Sequence, residues 1–209
     1  MIMPKLLLAT GNPGKLREFR ALLMDLEAQL LAPGDLDLDL EVEEKGHTYA
    51  ENAAHKARTY ALRSGLVSLA DDSGLEVAAL DGAPGLFSAR FAPHSGATDA
   101  DRRALLLGQL QPHPRPWVAR FRCTVAVATP DGAVHLTGGI CPGEIIPQER
   151  GQAGFGYDPI FLVPGVGKTM AELSMAEKNQ LSHRSRAARA AIPLLKDLLA
   201  GEPGLDKQK

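Results

Sequence analysis

Residues 70–77 read ADDSGLEV. Asp71 and Asp72 stand side by side and are followed by Ser73 and Gly74. The apolar run Leu66–Ala70 precedes them, and an alternating run ending at Leu80 follows. Adjacent like charges repel each other and suit neither a core nor a strand interior. Asp, Ser and Gly form turns readily, so one reading is a solvated turn between strands at Leu66–Ala70 and Leu75–Leu80. The other is a cation, most simply a metal ion, held at the tip of a buried strand. The turn is the commoner use of such residues, and these eight positions alone leave both readings open.

Working outward, strands and helices alternate. Leu6–Ala9 reads as a buried strand. TGNPGK at 10–15 follows, then a helix with Leu16, Phe19, Leu23 and Leu26 on one face. A further strand falls near Gln29–Leu31. The acidic, alternating stretch DLDLDLEVEEKG at 35–46 reads as an edge strand or a loop, with Asp35, Asp37 and Asp39 solvated. Thr48 and Glu51 form a capping box for a helix that Gly65 stops after Ser64. Thr98 and Asp101 open another helix, ending near Leu110. The Pro-rich QPHPRP at 111–116 is the best candidate for a junction between lobes. An alternating strand from Ala119 to Val127 turns at PDG into a second, Ala133–Ile140. GQAGFGYDPIF at 151–161 is a glycine-rich loop entering a strand, and a helix closes the chain from about Ser182 to Ala200. Pro193 lies inside that helix and is expected to kink it. Residues 201–209 read as a loose tail. The pattern is α/β with a mixed sheet flanked by helices. Ligands in such sheets bind beyond the carboxyl ends of strands, where TGNPGK and DDSG both fall.

The chain has 209 residues, 44% apolar and 23% charged, enough for one domain or two lobes sharing a sheet. Its net charge of −2, from 23 basic and 25 acidic residues, gives no broad attraction to nucleic acid or an anionic membrane. Cys123 and Cys141 sit in no paired-cysteine motif, which fits a reducing compartment. The apolar run after Lys5 is shorter than a signal segment, and no stretch approaches the ~20 apolar residues of a membrane span. A cytoplasmic protein is expected.

ATGNPGK places a glycine-rich turn between a strand and a helix with Lys15 in its first turn. A helix N-terminus offers free N–H groups and a positive dipole end, which with Lys15 suits phosphate. The spacing is not that of a Walker A loop, since Gly11 and Gly14 are too close and Leu16 follows the lysine. An ordinary strand-to-helix turn with a surface lysine is the commoner reading of these residues alone. Glu43 and Glu44 precede the helix that carries Asn52 and Lys56, where acidic groups favour the dipole by ~0.3–1 kcal/mol. At the start of the last helix, an N-cap at Ser182 with basic residues on a solvated face is the commoner arrangement, but His183 and Arg184 stand against the dipole, which favours a functional use. The cysteines lie in apolar contexts, no G-x-S-x-G elbow occurs, and Ser73 is a nucleophile only if a histidine reaches it.

Six stretches occur in a fixed order: ATGNPGKLREF at 9–19, EEKGHTYAENAAHKA at 43–57, ADDSGLEV at 70–77, GAPGLFSARF at 82–91, GFGYDPIF at 154–161 and EKNQLSHR at 177–184. Together they resemble the inosine/xanthosine triphosphate pyrophosphatases, over residues 6 to about 198. The resemblance implies one domain of two lobes, an elongated mixed sheet flanked by helices, a nucleotide cleft between the lobes, and a homodimer. It implies Mg²⁺-dependent hydrolysis of the non-standard purine nucleotides ITP, dITP and XTP to monophosphate and pyrophosphate. By the same resemblance Thr10, Gly11, Asn12, Pro13, Gly14 and Lys15 grip the phosphates. Glu43 and Asp72 hold the metal, and Asp72 also accepts the proton of the attacking water. Ser73 touches substrate, and Phe155, Gly156, Tyr157, Asp158, Lys178, His183 and Arg184 surround the nucleotide. Lys56 joins Lys15 and Lys178 in offsetting phosphate charge, and Asp71 is a helper carboxylate. The closing-helix Pro193 and the acidic 35–41 depart from the family pattern.

Overall fold

The computed structural model describes residues 3–38 and 40–201. Asp39 and the tail from 202 lie outside the described residues, as do the expectations placed on them. Strands β1 (Lys5–Leu8), β2 (Gln29–Leu31), β3 (Val67–Val77), β4 (Trp117–Ala128), β5 (Val134–Ile145), β6 (Phe161–Val163) and β7 (Lys168–Thr169) form a seven-stranded sheet in the order β2-β1-β3-β4-β5-β6-β7. β1 runs parallel to β2 and β3, whereas β6 runs antiparallel to β5 and β7. The sheet is mixed, as the alternation of elements predicts.

β3 settles the opening question of local structure. It runs unbroken through Asp71, Asp72, Ser73 and Gly74, so the expected turn does not form. The expected strand to Leu80 ends at Val77, where a single 3₁₀ turn, Ala78–Leu80, begins. Local turn preference loses here because strand formation depends on what packs around the residue more than on the residue itself. Asp71 is fully buried and Asp72 is 6% exposed, each against polar partners described below.

The helices begin where their caps are. In α1 (Pro13–Leu22) the Asn12 side chain accepts from the Gly14 and Lys15 N–H groups, with Pro13 at the first position. In α2 (Tyr49–Ser64) Thr48 Oγ1 accepts from Glu51 N, and Gly65 ends the helix at φ +69°. The Thr48–Glu51 box is only half closed, because the Glu51 carboxylate accepts from His47 N at 2.6 Å. Thr98 and Asp101 close a full box on α3 (Asp99–Leu110). α4 (Met175–Leu181), not expected from the sequence, opens on a Ser174–Glu177 box. α5 (His183–Ala200) starts with Ser182 Oγ accepting from Ser185 N at 3.1 Å. It continues through Pro193, whose side chain is exposed.

The chain divides into two compact units. One comprises Met1–Asp72, Thr124–Gly138 and Ala187–Lys209 and the other Ser73–Cys123 and Gly139–Arg186. QPHPRP therefore lies inside a unit and is not a junction. The divisions fall within β3, β4, β5 and α5, where no Pro-rich linker marks them. The first unit's core packs Leu7, Leu31, Ala53, Ala57, Tyr60 and Ala70 together. Leu36, Leu38, Leu40 and Val42 pack on it while Asp35 and Asp37 stay exposed. Among the described residues of 35–46 the alternation thus sorts side chains inward and outward without making a strand. The second unit's core is built on Leu75, Leu106, Leu110, Phe121, Tyr157 and Phe161. Each such buried side chain contributes roughly 1.5–3 kcal/mol.

Candidate active site

In the first unit, β3, α1, α2 and the loop before α2 bring charged groups together. Lys15, in the first turn of α1, places Nζ 3.1 Å from Asp71 Oδ1. Asn52 and Lys56 share a face of α2, one turn apart. Asn52 Nδ2 donates to Asp72 Oδ2 at 2.8 Å, while Asn52 Oδ1 accepts from Gly46 N at 2.8 Å. One carboxamide therefore orients the Asp72 carboxylate and pins the loop after the two glutamates. A Cβ at residue 46 would collide with Asn52, so the loop needs glycine there. Lys56 Nζ donates to Glu44 Oε1 at 2.5 Å and to the Asp71 carbonyl at 3.4 Å.

Burial pushes the Asp72 carboxyl up, and the Glu44 charge adds to this. The Asn52 bond and the Lys15 and Lys56 charges offset only part, so the net shift is upward. For Lys56, burial alone would lower the ammonium. The Glu44 hydrogen bond and the Asp71, Glu44 and Asp72 charges outweigh it and raise it. A buried carboxylate with raised proton affinity, next to others, is the arrangement expected of a base or a cation ligand.

The two expected metal ligands are placed differently. Asp72 lies in this cluster. Glu43 is 65% exposed and pairs with Lys45, while Glu44 is the glutamate that Lys56 reaches. Glu43 does line, with Lys45, Gly46, Glu51, Asn52 and His55, a cavity of about 300 Å³. Of the expected phosphate grip, Thr10 and Gly14 are buried, while Gly11, Asn12 and Pro13 are exposed. Thr10 Oγ1 accepts from Asn12 N at 3.2 Å, and a Cβ at Gly11 would meet nothing within 4 Å, so the turn presents an open surface.

In the second unit, the Lys178 Nζ of α4 donates to Asp158 Oδ2 at 2.7 Å, with both side chains buried. The same oxygen accepts from Phe155 N at 3.0 Å. Gly154 sits at φ +82°, and a Cβ there would collide with that oxygen, so glycine is required. The Phe155 ring has Lys178 Nζ 5.4 Å and the Arg184 guanidinium 5.6 Å from its centroid. Arg184, 2% exposed, donates from Nη2 to Ser73 Oγ at 2.9 Å. His183 stacks on Phe121 with centroids 4.7 Å apart. Ser73, Phe155, Asp158, Lys178 and Arg184 thus form one connected set. Tyr157 instead faces the core. It is 4% exposed, burial raises its phenol, and its hydroxyl donates to the Ser88 carbonyl at 3.0 Å.

The sequence pattern of the Ham1 family matches residues 6–194. The chain belongs to the Ham1 family. A dITP/XTP pyrophosphatase of Desulforamulus reducens is 46% identical over 93% of this chain and 96% of its own length. That of a Synechocystis species is 50% identical over 88% of this chain and 92% of its own. The solved structure of a HAM1 protein from Coxiella burnetii, 41% identical, matches 93% of this chain and all of that one with a TM-score of 0.84. The resemblance read from the six motifs and the mixed α/β fold are both borne out.

Within this Ham1 chain Glu44 and Asp72, whose charges act on each other, offer only oxygen donors, which suit a hard divalent cation. Among the described residues no three carboxylate, imidazole or thiolate groups are placed to hold a metal by themselves. Mg²⁺ commonly takes one or two carboxylates and completes its shell with water and substrate phosphate, so the donor set fits it. Asn52 and Glu44 were not singled out by sequence as site residues. The spacing of Asn52 and Lys56 on one helix face, below two glutamates, is the signal that would have found them.

Proposed function

We propose that this chain hydrolyses the non-standard purine nucleoside triphosphates dITP, ITP and XTP to the monophosphate and pyrophosphate. The reading rests on the buried Asp72, whose proton affinity is raised and whose carboxylate Asn52 orients. The names of the relatives at 46% and 50% identity support it. Asp72 and a glutamate of the 43–44 pair would hold Mg²⁺, which would supply charge neutralisation for the phosphate chain. Asp72 takes the proton of the water that attacks the phosphorus bonded to the nucleoside, and pyrophosphate leaves. Lys15 and Lys56, with the 10–15 turn, hold the phosphates, and Asp71 keeps Lys15 in place. Catalysis is then largely positioning and charge stabilisation. Phe155 stacks on the base. His183 and Arg184 donate to the 6-oxygen of hypoxanthine or xanthine, which the 6-amino group of adenine cannot accept. Asp158 and Lys178 fix this end of the site.

The same reading makes the protein a homodimeric, cytoplasmic enzyme that cleanses the nucleotide pool, with neither nucleic acid nor membrane as a partner. The net charge of −2 gives no broad attraction to nucleic acid, and among the described residues no helix is long and apolar enough to cross a membrane. The test is pyrophosphate release from ITP, dITP, XTP, GTP and ATP, with Mg²⁺ and with EDTA. ITP, dITP and XTP are expected to be good substrates, GTP poor and ATP poorer, with no turnover in EDTA. Equal kcat/KM for ITP and ATP overturns the base assignment. Binding without turnover makes the protein a nucleotide sensor instead.

A further inference from the structure

We propose that Asp99 and Arg103, on the first turns of α3, are positioning residues that clamp the backbone on both sides of Gly156 and so set the base selectivity exerted through Phe155. The inference rests on the reading of residues 154–158 as part of the base site.

The loop at 151–157 lies in neither helix nor strand, and Gly151, Gly154 and Gly156 adopt φ of +80°, +82° and +60°. Glycine reaches such angles without steric cost, but it reaches many others equally well. The loop therefore needs external fixings if Phe155 is to present its ring in one place. α3 supplies two. Gly156 N donates to Asp99 Oδ2 at 2.7 Å, and Arg103 Nη1 donates to the Gly156 carbonyl at 2.9 Å. These bonds hold the two peptide planes flanking the Gly156 Cα, and so fix the two torsions that glycine leaves freest.

The clamp is itself braced. Arg103 makes a two-pronged contact with Glu149, Nε to Oε1 at 2.8 Å and Nη2 to Oε2 at 3.0 Å, which fixes the guanidinium plane. Asp99 Oδ1 pairs with Arg102, which also donates to the Ala97 carbonyl at 2.9 Å. Burial pushes the Asp99 carboxyl up, but the Arg102 and Gly156 bonds outweigh this and keep it charged. On the other side of Phe155, its own N–H is held by Asp158 at 3.0 Å. The Phe155–Gly156 segment is thus anchored at both ends, by Asp158 from within the loop and by α3 from outside it.

A loosened clamp displaces the ring relative to Arg184 without touching Asp72. Misplacement of a reader by about 1 Å is enough to change recognition by an order of magnitude or more. Asp99→Ala is expected to raise KM for ITP about tenfold and to narrow the ITP-over-ATP ratio of kcat/KM by a similar factor, with kcat within about twofold. Asp99→Asn keeps an oxygen acceptor and should recover most of both. Arg103→Gln should act like Asp99→Ala and leaves the cap of α3 intact, should the Ala variant fail to fold. Hydrogen exchange at the Gly156 amide should quicken in Asp99→Ala and return toward the parent rate in Asp99→Asn. Arg184→Ala is measured alongside. If Arg184→Ala narrows the ratio while Asp99→Ala and Arg103→Gln do not, or if these two lower kcat alike on every nucleotide, the clamp is structural only and the proposal is overturned. If Arg184→Ala leaves the ratio unchanged while Gly156 exchange still responds, the base-site reading has failed and the selectivity role falls with it.

Discussion

The Asp158–Lys178 pair and the Asp71–Asp72 pair both bury carboxylate near lysine, and they are built to opposite ends. Asp158 meets Lys178 one to one at 2.7 Å, takes the Phe155 N–H on the same oxygen, and is shielded by a glycine that nothing larger could replace. Asp71 and Asp72 are neighbours in sequence and share Lys15, Lys56, Asn52 and the Glu44 charge among them. The first arrangement is matched and its geometry is fixed. In the second, Asp72 is left with a raised proton affinity, the condition for taking a proton or gaining a cation.

The contrast breaks if Asp72→Asn and Asp158→Asn behave alike. Asp72→Asn keeps the shape and the Asn52 contact but loses the base and the charge. It should lower kcat by about 10²–10⁴-fold or more, with the fold retained by circular dichroism. Asp158→Asn should instead leave Lys178 buried and uncompensated, costing about 3–5 kcal/mol of stability in chemical denaturation and acting on KM. A near-normal rate for Asp72→Asn removes the mechanism. A sharper cut comes from the two glutamates. Glu44→Gln should weaken the Mg²⁺ dependence of kcat/KM more than Glu43→Gln, because Glu44 is the one Lys56 reaches; the reverse order returns the metal to Glu43.

A smaller effect is expected at Lys15. Lys15→Ala should weaken triphosphate binding and flatten its salt dependence, whereas Lys5→Ala, on the exposed start of β1, should change neither. The smallest effect concerns stability and pH. The folded Asp72 pKa lies above its ordinary 3.8, so the native state binds the proton more tightly and loses stability as pH rises through the folded value. Without metal, Asp72→Asn should therefore raise Tm slightly at neutral pH and not below about pH 3.8. Mg²⁺ should raise the Tm of the parent more than that of the variant.

The strands and helices of the first half were legible because their caps and periods are local. Thr48, Gly65 and the Thr98–Asp101 box each announce an end, and the structure uses them. What was not legible depends on distant partners. Nothing in DDSG indicates a strand, since the partners of its carboxylates come from residues up to 56 positions away. The divisions between the compact units fall inside β3, β4, β5 and α5, so linker composition carries no sign of them. α4 is the exception, since its Ser174–Glu177 box was in plain view. The charged clusters follow the same rule. Motifs marked their members, but only the structure distinguishes Glu44 from Glu43 and turns Tyr157 inward.

The unbroken course of β3 through Asp71, Asp72 and Ser73 bears on how such a site can change over generations. A strand counts residues in twos, and neighbours point to opposite faces. Gaining or losing one residue anywhere between Val67 and Asp71 would exchange the sides on which Asp71 and Asp72 stand and send each to the other's partners. A loop could absorb such a slip, but a paired strand in the middle of the sheet cannot. The length of β3 ahead of Asp71 is thus as much a part of the site as the carboxylates themselves.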